Sequence, residues 1–489
     1  MNILEHSQFC QQSGPLPPLS RRDFLRNSSG GFGLLALAGL FARQDLFAQR
    51  DLFAQRALPH RPARAKNVIF CFMDGGPSHV DTFDYKPALA RFEGKQIGEL
   101  AVSKKAQSSA DRRWMASPWN FRQRGQSGLW VSDLFPHIGR CADNLCVVRS
   151  VIGQQPLHGQ QNLLLHTGRL TGQAPSLGSW ISYGLGTENK NLPGYVLLNN
   201  DWIPNGGYEN FDSAYLPATH AATLLRSRGK PVENIISADR PELQQLKLDL
   251  IKQQDTLYAQ DGAEGPIIEA AIKNYETAFR MQTAVPEIAS TANESLAMLH
   301  RYGVDSSNDF QRYYGLQCLR ARRLVEAGVR FVEITCPLTH ANNSPWDQHS
   351  NLYQYHTENS LITDQAVAAL IEDLQQRGLL DETIVLWAGE MGRTPHTASK
   401  EINEKSGRDH HVNGYTLFLA GGGFRGGTAY GATDDFGNSV VENPLTIHDV
   451  HATILHQLGL DHQQLTFRFG GRDMSLTDVH GRVVEELLS

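Results

Sequence analysis

The feature that most constrains the fold is a series of short apolar runs, each closed by polar residues or glycine. Such runs are typical of strands that are buried on both faces of a parallel sheet. The six runs are Val68–Phe72, Leu145–Val148, Tyr195–Leu198, Arg330–Thr335, Thr383–Ala388 and Tyr415–Ala420. Helical periodicity separates many of them, as in the segment Ile362–Leu374 and in the spacing of Ile268 and Ile272. This alternation predicts an α/β fold, a doubly wound α/β/α sandwich.

The N-terminal segment resembles an export signal rather than part of the fold. The sequence Ser-Arg-Arg-Asp-Phe-Leu from Ser20 precedes a run rich in Gly, Ala and Leu that ends at Ala42. This arrangement is typical of a twin-arginine signal, and the run is too short to span a bilayer as a mature helix. We assign residues 1–65 to a twin-arginine signal peptide and linker, and residues 66–489 to one domain. Within that domain a Gln-rich helical stretch, about 200–310, could be an insertion or a cap.

The signal predicts where the protein works, and the net charge and cysteine count exclude some classes of partner and scaffold. We expect a periplasmic or extracellular protein, exported by the twin-arginine machinery and lacking a stable membrane span. The net charge of −6 offers no basic field for nucleic acid or an anionic membrane. The six cysteines are too few for a disulfide scaffold. Cys141 and Cys146 are close enough in sequence to pair, whereas Cys71 and Cys336 are expected to be buried thiols.

Four clusters of carboxylates and imidazoles lie where a predicted strand ends or just before one starts. The clusters are Met73–His79, Trp346–His349, Gly389–Thr394 and Gly407–His411. Because ligands bind beyond the carboxyl ends of the strands in open α/β sheets, we expect these clusters to converge. Oxygen and nitrogen donors of this kind suit Zn, Mn or Mg, and they suit Ca where carboxylates dominate. The sequence therefore predicts a divalent-cation site at this edge.

Each of these residues also has a purely structural interpretation. Asp74, which precedes two glycines, could shape a turn, and Asp347 could cap a helix. Glu390 could form an ion pair with Arg393, and His411 could be a solvated neighbour of the site. The convergence of four clusters at one sheet edge favours the functional interpretation over these separate ones.

A further group of histidines, between His448 and His456, resembles a set of metal ligands. Ile454, Leu455 and Leu458 occur among and beside them. This spacing is more typical of the ends and polar face of an amphipathic helix. We therefore expect a surface helix here and no metal site.

Several motifs together resemble one exported bacterial family, known as domain of unknown function 1501 and often labelled sulfatase-like. They include the sequence Asp-Gly-Gly-Pro-Ser-His-Val-Asp from Asp74, Gly-Glu-Met-Gly-Arg-Thr-Pro from Gly389, and Gly-Arg-Asp-His from Gly407. The tail from Gly471, Gly-Arg-Asp-Met-Ser-Leu-Thr-Asp, belongs to the same set. The resemblance covers nearly all of residues 65–489. It implies a fold of the alkaline phosphatase–sulfatase superfamily.

Carried over residue by residue, the resemblance implies a set of metal ligands. Asp74 matches the strand-end aspartate of sulfatases, and Asp347 and His349 match the middle Asp/His pair. The Asp-His-Gly motif of the superfamily's phosphatases aligns with the sequence Glu-Met-Gly from Glu390. The last metal-binding histidine corresponds to His410 or His411. The predicted ligands of a divalent ion (Zn, Mn or Ca) are Asp74, Asp347, His349, Glu390, Asp409 and His410.

The sequence departs from the family pattern of sulfatases and phosphatases at two positions. Counting back from Thr167 and Gly168 places His158 where sulfatases have their nucleophilic cysteine and phosphatases have serine or threonine. An imidazole cannot form the usual covalent ester, although a phosphohistidine is conceivable. Met391 replaces an imidazole ligand by a thioether, which binds hard cations weakly. These changes argue for one metal ion and against a two-metal mechanism.

The expected function is that of a metal-dependent hydrolase acting on a small anionic ester or on a sulfated or phosphorylated polysaccharide. The bound ion would polarise the ester and acidify water. His158 or His349 would act as the base, and Arg393 would hold anionic oxygens. Ser78 could serve as a substitute nucleophile. The alternative is a non-catalytic exported binding or surface-complex protein that keeps the hydrolase fold.

Overall fold

The predicted strands assemble into one mixed sheet in the computed structural model of the protein. The structure describes residues 59–489 except 99–101, 103–108, 230, 233–236, 238, 261–264 and 341–343. The predicted twin-arginine signal lies outside the described residues, as does the linker up to residue 58.

The strands are numbered in chain order. They are β1 (Asn67–Phe72), β2 (Phe121–Arg124), β3 (Leu129–Ser132), β4 (Leu145–Ile152), β5 (Tyr195–Asn199), β6 (Thr223–Arg226), β7 (Phe331–Thr335), β8 (Thr383–Ala388), β9 (Gly392–Thr397), β10 (Arg408–His411), β11 (Tyr415–Ala420), β12 (Thr428–Tyr430), β13 (Ala432–Thr433), β14 (Val440–Glu442), β15 (Leu445–Thr446), β16 (Phe467–Phe469) and β17 (Arg472–Met474).

The α-helices are numbered in the same way. They are α1 (His79–Thr82), α2 (Ala88–Phe92), α3 (His158–Thr167), α4 (Leu177–Leu185), α5 (Pro241–Gln260), α6 (Gly265–Ala289), α7 (Leu296–Arg301), α8 (Asp309–Glu326), α9 (Leu352–Gln376) and α10 (Ile447–Gln457). Short 3₁₀ helices cover Ile138–Asn144, Gly207–Phe211, Ala218–His220, Leu380–Glu382 and Glu485–Leu487.

The central sheet places β1 in its middle. Among the described residues it has nine strands, in the order β12-β4-β11-β8-β1-β7-β5-β6, with β15 beside β4. All residues of β1 are buried, as expected for a strand covered on both faces. In the register, Phe72 lies opposite Thr335 of β7 and Ala388 of β8. These three strands end at the same level, so the loops that follow them start from one edge.

Alternate residues of the strands pack into two separate apolar layers, one on each face of the sheet. Ile69 and Cys71 of β1 belong to the layer formed with α8 and α9. Val68, Phe70 and Phe72 belong to the layer formed with α3, α4 and α10. Because side chains along a strand point alternately to opposite faces, this period-2 split buries both faces of the sheet. The predicted α/β/α sandwich is confirmed.

One strand runs against the predicted direction. The apolar pattern of Tyr415–Ala420 predicted a member of a parallel sheet, but β11 is antiparallel to both β4 and β8. The chain between β8 and β11 forms the hairpin of β9 and β10 rather than a crossover helix, so it returns from the edge at which β8 ended. This reversal puts the residues just before β11 at the edge where the parallel strands end.

The predicted surface helix at His448–His456 is wrong in its exposure. α10 covers this segment, but His448, Asp449 and His451 are buried. The Nε2 atom of His451 donates to the carbonyl of Leu165 in α3 at 2.8 Å. The helix is buried because it packs between the sheet and the C-terminal tail, where its polar side chains find backbone partners.

Two smaller expectations can be compared with the structure. The five cysteines among the described residues are all free and buried, so Cys141 and Cys146 do not pair. None of the described helices combines the length and the apolar character needed to cross a membrane. The stretch predicted as an insertion or cap holds α5, α6 and α7 but also β6, an edge strand of the main sheet.

Candidate metal centre

The loop after β1 is shaped by two glycines that let a second loop pass over it. Gly75 and Gly76 have φ values of +106° and +72°, a region that favours glycine. A Cβ atom on Gly75 would lie 2.7 Å from the backbone nitrogens of both Trp346 and Asp347. The carbonyl of Asp74 accepts a hydrogen bond from the Trp346 amide at 2.9 Å. The loop after β7 is thereby pressed onto the end of β1, and Asp347 is carried to the sheet edge.

Asp347 is the point where the predicted residues meet. Its Oδ1 atom lies 3.3 Å from Nε2 of His158, 3.0 Å from Nε2 of His349 and 3.3 Å from Nε2 of His410. The guanidinium of Arg393 donates to the same oxygen at 2.6 Å. His158 begins α3, His349 follows Asp347 in its loop, and His410 belongs to β10. Segments far apart in the sequence therefore converge on one carboxylate oxygen.

Each of the three histidines has its Nδ1 atom occupied elsewhere. Nδ1 of His158 is 2.5 Å from Oε1 of Glu390, and Nδ1 of His410 is 2.8 Å from the carbonyl of Pro156. Nδ1 of His349 lies 3.2 Å from Oδ1 of Asp409. An acceptor at Nδ1 fixes the ring and makes Nε2 the atom that could bind a metal, which is the usual arrangement around metal-binding histidines.

The charged groups of this cluster shift one another's pKa values. Although burial opposes it, the charge of Arg393 and the bonds from the histidines hold the pKa of Asp347 well below its usual range. Burial also opposes protonation of His158, but Asp347 and Glu390 outweigh it and raise its pKa to about 9. Burial lowers the pKa of His410, whose Nε2 lies 2.9 Å from Nε2 of His349. Two imidazole nitrogens so close cannot both carry a proton, so at least one presents a lone pair.

Two groups of side chains at this edge are placed so that they could hold a metal ion. His158, Asp347 and His410 offer three buried ligand atoms that all lie within 4.8 Å of one another. His349, Asp409 and His410 form a second such group, which shares His410. Imidazole nitrogens with one carboxylate suit Zn or Mn, whereas Ca takes six to eight oxygens; which of the predicted ions binds here remains a prediction.

Glu390 lies behind the histidines rather than among the ligand groups. It is fully buried, its Oε1 binds His158, and its Oε2 accepts from the amide of Gly75 at 3.0 Å. The side chain of Gln161 donates to the Glu390 carbonyl at 3.0 Å. Both carboxylate oxygens are thus engaged in holding the ring of His158 and the β1 loop. These contacts favour an orienting role for Glu390, and its predicted role as a ligand remains a prediction.

Asp74 is also set back from the ligand groups. Its oxygens accept from the amide of Asn162 at 3.1 Å and from the indole of Trp202 at 2.9 Å. Burial, together with the nearby charge of Glu390, raises the pKa of Asp74 to about 7. Both carboxylate oxygens are engaged by neighbouring side chains, and the predicted role of Asp74 as a metal ligand remains a prediction.

Arg393 is fully buried, and its donors are occupied by the protein itself. Its guanidinium donates to the carbonyls of Gly75 and Gly76, the latter at 3.1 Å, as well as to Asp347. A further contact reaches the carbonyl of Arg408 at 3.4 Å. This bonding ties the β1 loop to Asp347. The predicted role of holding substrate oxygens remains a prediction, and the contacts favour a positioning role.

Three remaining residues of the predicted clusters are packed into the interior. Met391 is buried, and its Cγ atom lies 2.8 Å from where a Cβ on Gly76 would stand. Ser78 is fully buried at the start of α1, which leaves it out of reach as a substitute nucleophile. His411, proposed as solvated, is fully buried instead, and burial lowers its pKa to about 3.

Sequence reasoning missed the partners that come from outside the four clusters. Trp202, Asn162 and the carbonyl of Pro156 all bind cluster residues directly. Arg112 lies 3.8 Å from Asp409, and its side chain is partly exposed. Nothing in the sequence around Arg112 signals contact with this edge. Trp202 comes three residues after the end of β5, so the strand-end argument could have included it.

Comparison with known proteins gives a family but no activity. A family model described as a protein of unknown function (DUF1501) matches residues 65–488. No curated protein matches the chain. Solved structures that resemble it do so only distantly.

Three of these structures illustrate the range. The PsFucS1 sulfatase from Pseudoalteromonas sp. is 12% identical, with 88% of this chain and 72% of that chain covered and a TM-score of 0.35. The phosphonate monoester hydrolase from Silicibacter pomeroyi is 11% identical, with 87% of this chain and 76% of that chain covered and a TM-score of 0.34. A TAB5 alkaline phosphatase mutant with Mg bound is 10% identical, with 73% of this chain and 92% of that chain covered and a TM-score of 0.30. They are of the classes that the motif resemblance implied, and at these scores they identify no activity.

Proposed function

The chain belongs to the DUF1501 family, and from that premise we propose that it is a metal-dependent hydrolase of phosphate or sulfate esters. The family description assigns no reaction, so the proposal rests on the site. The observation that carries it is the meeting of three imidazole Nε2 atoms, from His158, His349 and His410, at one oxygen of Asp347. A sheet edge with such donors is where open α/β sheets bind their ligands.

His158, Asp347 and His410 would hold the ion. They are buried, whereas the His349 side chain is 39% exposed, so the open side of the group faces His349. Three protein ligands with a free position are typical of catalytic rather than structural zinc sites. When bound, a divalent cation supplies a Lewis acid that polarises the ester and acidifies water.

The protein's own residues would orient the reactants and move the proton. His349 is held at Nδ1 by Asp409, so its Nε2 is placed to take a proton from an attacking water. Glu390 and the Pro156 carbonyl fix the rings of His158 and His410. His158 has no hydroxyl or thiol, so the proposed reaction is direct attack by water without a covalent ester on the protein.

The finer parts of the proposal come from the sequence. The anionic-ester class rests on the motif resemblance to sulfatases and phosphatases, and a sulfated or phosphorylated polysaccharide fits the same class. Export by the twin-arginine machinery to the periplasm or beyond rests on the motif at Ser20–Leu25. Twin-arginine substrates cross the membrane folded, which would let the ion be bound before export.

The first test is elemental analysis of the natively produced protein after gel filtration. We expect about one equivalent of Zn or Mn per chain, lost in His158→Ala and His410→Ala. His300→Ala is the matched control, because the His300 side chain is 78% exposed and lies outside the site. Metal-loaded protein is then assayed on aryl phosphates, aryl sulfates and a phosphate diester. Folded protein without metal, or ligand variants that keep it, would reject the assignment.

A second function is favoured by one observation, the histidine at the nucleophile position. His158 is engaged with Glu390 at 2.5 Å, a contact that suits a structural metal site as well as a catalytic one. The chain would then be an exported binding protein with a hydrolase fold. Metal bound stoichiometrically, together with no turnover of any ester in the panel, would favour this function over the hydrolase.

A further inference from the structure

The helix α5 presents a row of leucines to solvent. Leu243, Leu246, Leu250 and Leu257 keep 43%, 65%, 56% and 65% of their surface exposed. The opposite side of the helix, which carries Leu248, lines a groove against α6. Contiguous exposed apolar surface of this kind is uncommon on monomeric proteins and marks a contact surface.

The spacing of the leucines identifies the kind of partner. Leu243, Leu250 and Leu257 are seven residues apart, and Leu246 follows the first of them by three. In the heptad notation abcdefg, position a is taken by Leu243, Leu250 and Leu257. Position d is taken by Leu246 and then by Gln253. A seam with this repeat is complementary to another helix that has the same repeat, and not to a flat or globular surface.

We propose that two copies of this chain associate through α5, with the two helices lying parallel across a twofold axis. In a parallel pair, a residue just before an a position faces the residue just after the next d position of the partner helix. This brings Glu242 of one copy to Lys247 of the other, and Asp249 to Gln254. An antiparallel pair centred on Leu250 would instead bring the two Asp249 carboxylates together.

Two details are compatible with this pairing. Lys247 already binds Asp239 of its own chain at 2.6 Å, but an ammonium has three donors and can serve a second carboxylate. The polar residues of the seam, Gln253 and Gln260, both take d positions, and in a parallel pair each faces its own copy, to which an amide can both donate and accept a hydrogen bond. A twofold contact is also self-complementary and closes at two copies, so it does not lead to filaments.

The first experiment measures the mass of the full chain in solution by light scattering. We expect twice the monomer mass for the unmodified protein and the monomer mass for Leu246→Glu/Leu250→Glu. The control is Leu296→Glu, because Leu296 is 85% exposed but lies on α7, and it should remain dimeric. A monomer across the accessible concentration range, or a dimer that survives the double substitution, would overturn the proposal.

The second experiment tests the parallel arrangement and does not depend on a folded double variant. Cys10→Ser is used as background, since the other five cysteines are buried. In that background Leu243→Cys should form a disulfide between two copies under mild oxidation. Leu243 and Leu257 are about 21 Å apart along the helix at ~1.5 Å per residue, so an antiparallel pair keeps the two introduced cysteines apart. A dimer without this cross-link would contradict the parallel pairing.

Discussion

At the residue scale, Asp347 is the group on which the candidate centre depends. It is buried, and its Oδ1 atom contacts three imidazoles and a guanidinium. A carboxylate in such surroundings stays ionised, since the positive charge of Arg393 and the donated hydrogen bonds outweigh the cost of burial. An ionised oxygen among imidazole nitrogens favours a positive charge between them, whether this is the proton on His158 or a bound cation.

The first prediction concerns Glu390→Gln. The amide keeps the size of Glu390, but it cannot accept from both His158 and the Gly75 amide, so the His158 ring loses its fixed orientation. Loss of such an orienting carboxylate typically weakens metal binding by about 10–100-fold. Competition with a chelator of known affinity measures the change. Glu382→Gln is the control, because that side chain is 47% exposed, and equal affinities in both variants would contradict the orienting role.

Sequence reasoning could foresee which clusters meet but not what each residue does there. Asp347, His349, Asp409 and His410 come together as the sheet-edge argument predicts, and His158, which only the family resemblance placed at the site, joins them. The roles of Asp74, Glu390 and Arg393 could not be read from the sequence, because they are set by partners on other loops. A carboxylate is a ligand or a support depending on whether its oxygens are already taken, and that depends on contacts between distant segments.

At the scale of elements, the turn after β1 decides whether the two loops can touch. The second prediction compares Gly75→Ala with Gly94→Ala. Both glycines have positive φ, so both substitutions cost roughly 1 kcal/mol in backbone strain. Only at Gly75 would the new Cβ meet backbone atoms of Trp346 and Asp347, at 2.7 Å.

The Gly75→Ala protein should therefore lose stability by a further ~1–3 kcal/mol, the usual cost of overpacking, and should bind metal more weakly. Gly94→Ala should keep its metal, because nothing lies within 4 Å of its new methyl group. Urea unfolding and metal content are measured on both variants. Equal losses of stability would show that the close approach of the two loops has no energetic weight.

The third prediction concerns the pH dependence of α10. Burial lowers the pKa of His451 to about 3, so the ring stays neutral in the folded protein while the unfolded chain titrates near 6.5. The stabilisation is complete above the unfolded pKa and is lost as the pH falls from there toward the folded pKa. Between about pH 7.5 and pH 5 this one group should cost about 2 kcal/mol.

His451→Gln tests this, because glutamine can still donate to the Leu165 carbonyl without titrating. The drop in unfolding free energy between the two pH values should be smaller in the variant by about that amount. Chelator is present throughout, so that metal release does not contribute. His300→Gln, at an exposed position, should behave as the unmodified protein, and an unchanged drop in His451→Gln would contradict the prediction.

The elements themselves were predicted well where local pattern suffices. The runs Thr383–Ala388 and Tyr415–Ala420 coincide with β8 and β11. The direction of β11 was missed, because direction depends on what connects two strands and not on their apolar character. The burial of α10 was missed for a related reason, since a helix with polar residues on several sides is buried only when backbone groups of neighbouring segments can bind them.

At the scale of the whole molecule, the candidate ligands tie together the start of α3, the loop after β7 and β10. The fourth prediction is that metal raises the melting temperature. A ligand present at 100 times its dissociation constant stabilises the folded state by about 2.7 kcal/mol, which corresponds to a shift of a few degrees. Calorimetry with and without chelator measures the shift. His410→Ala should melt at one temperature in both conditions, and a chelator effect in that variant would place the metal elsewhere.

The central position of β1 has a consequence for how the chain is made. Among the described strands β1 is the first to leave the ribosome, but its two neighbours in the sheet are β7 and β8, which are made long after it. The middle of the sheet cannot close during early synthesis, and His410 emerges later still. Domains with such long-range pairing fold slowly, and their apolar strands stay exposed until the partner strands have been synthesised. We therefore expect folding of this chain to be completed only after translation.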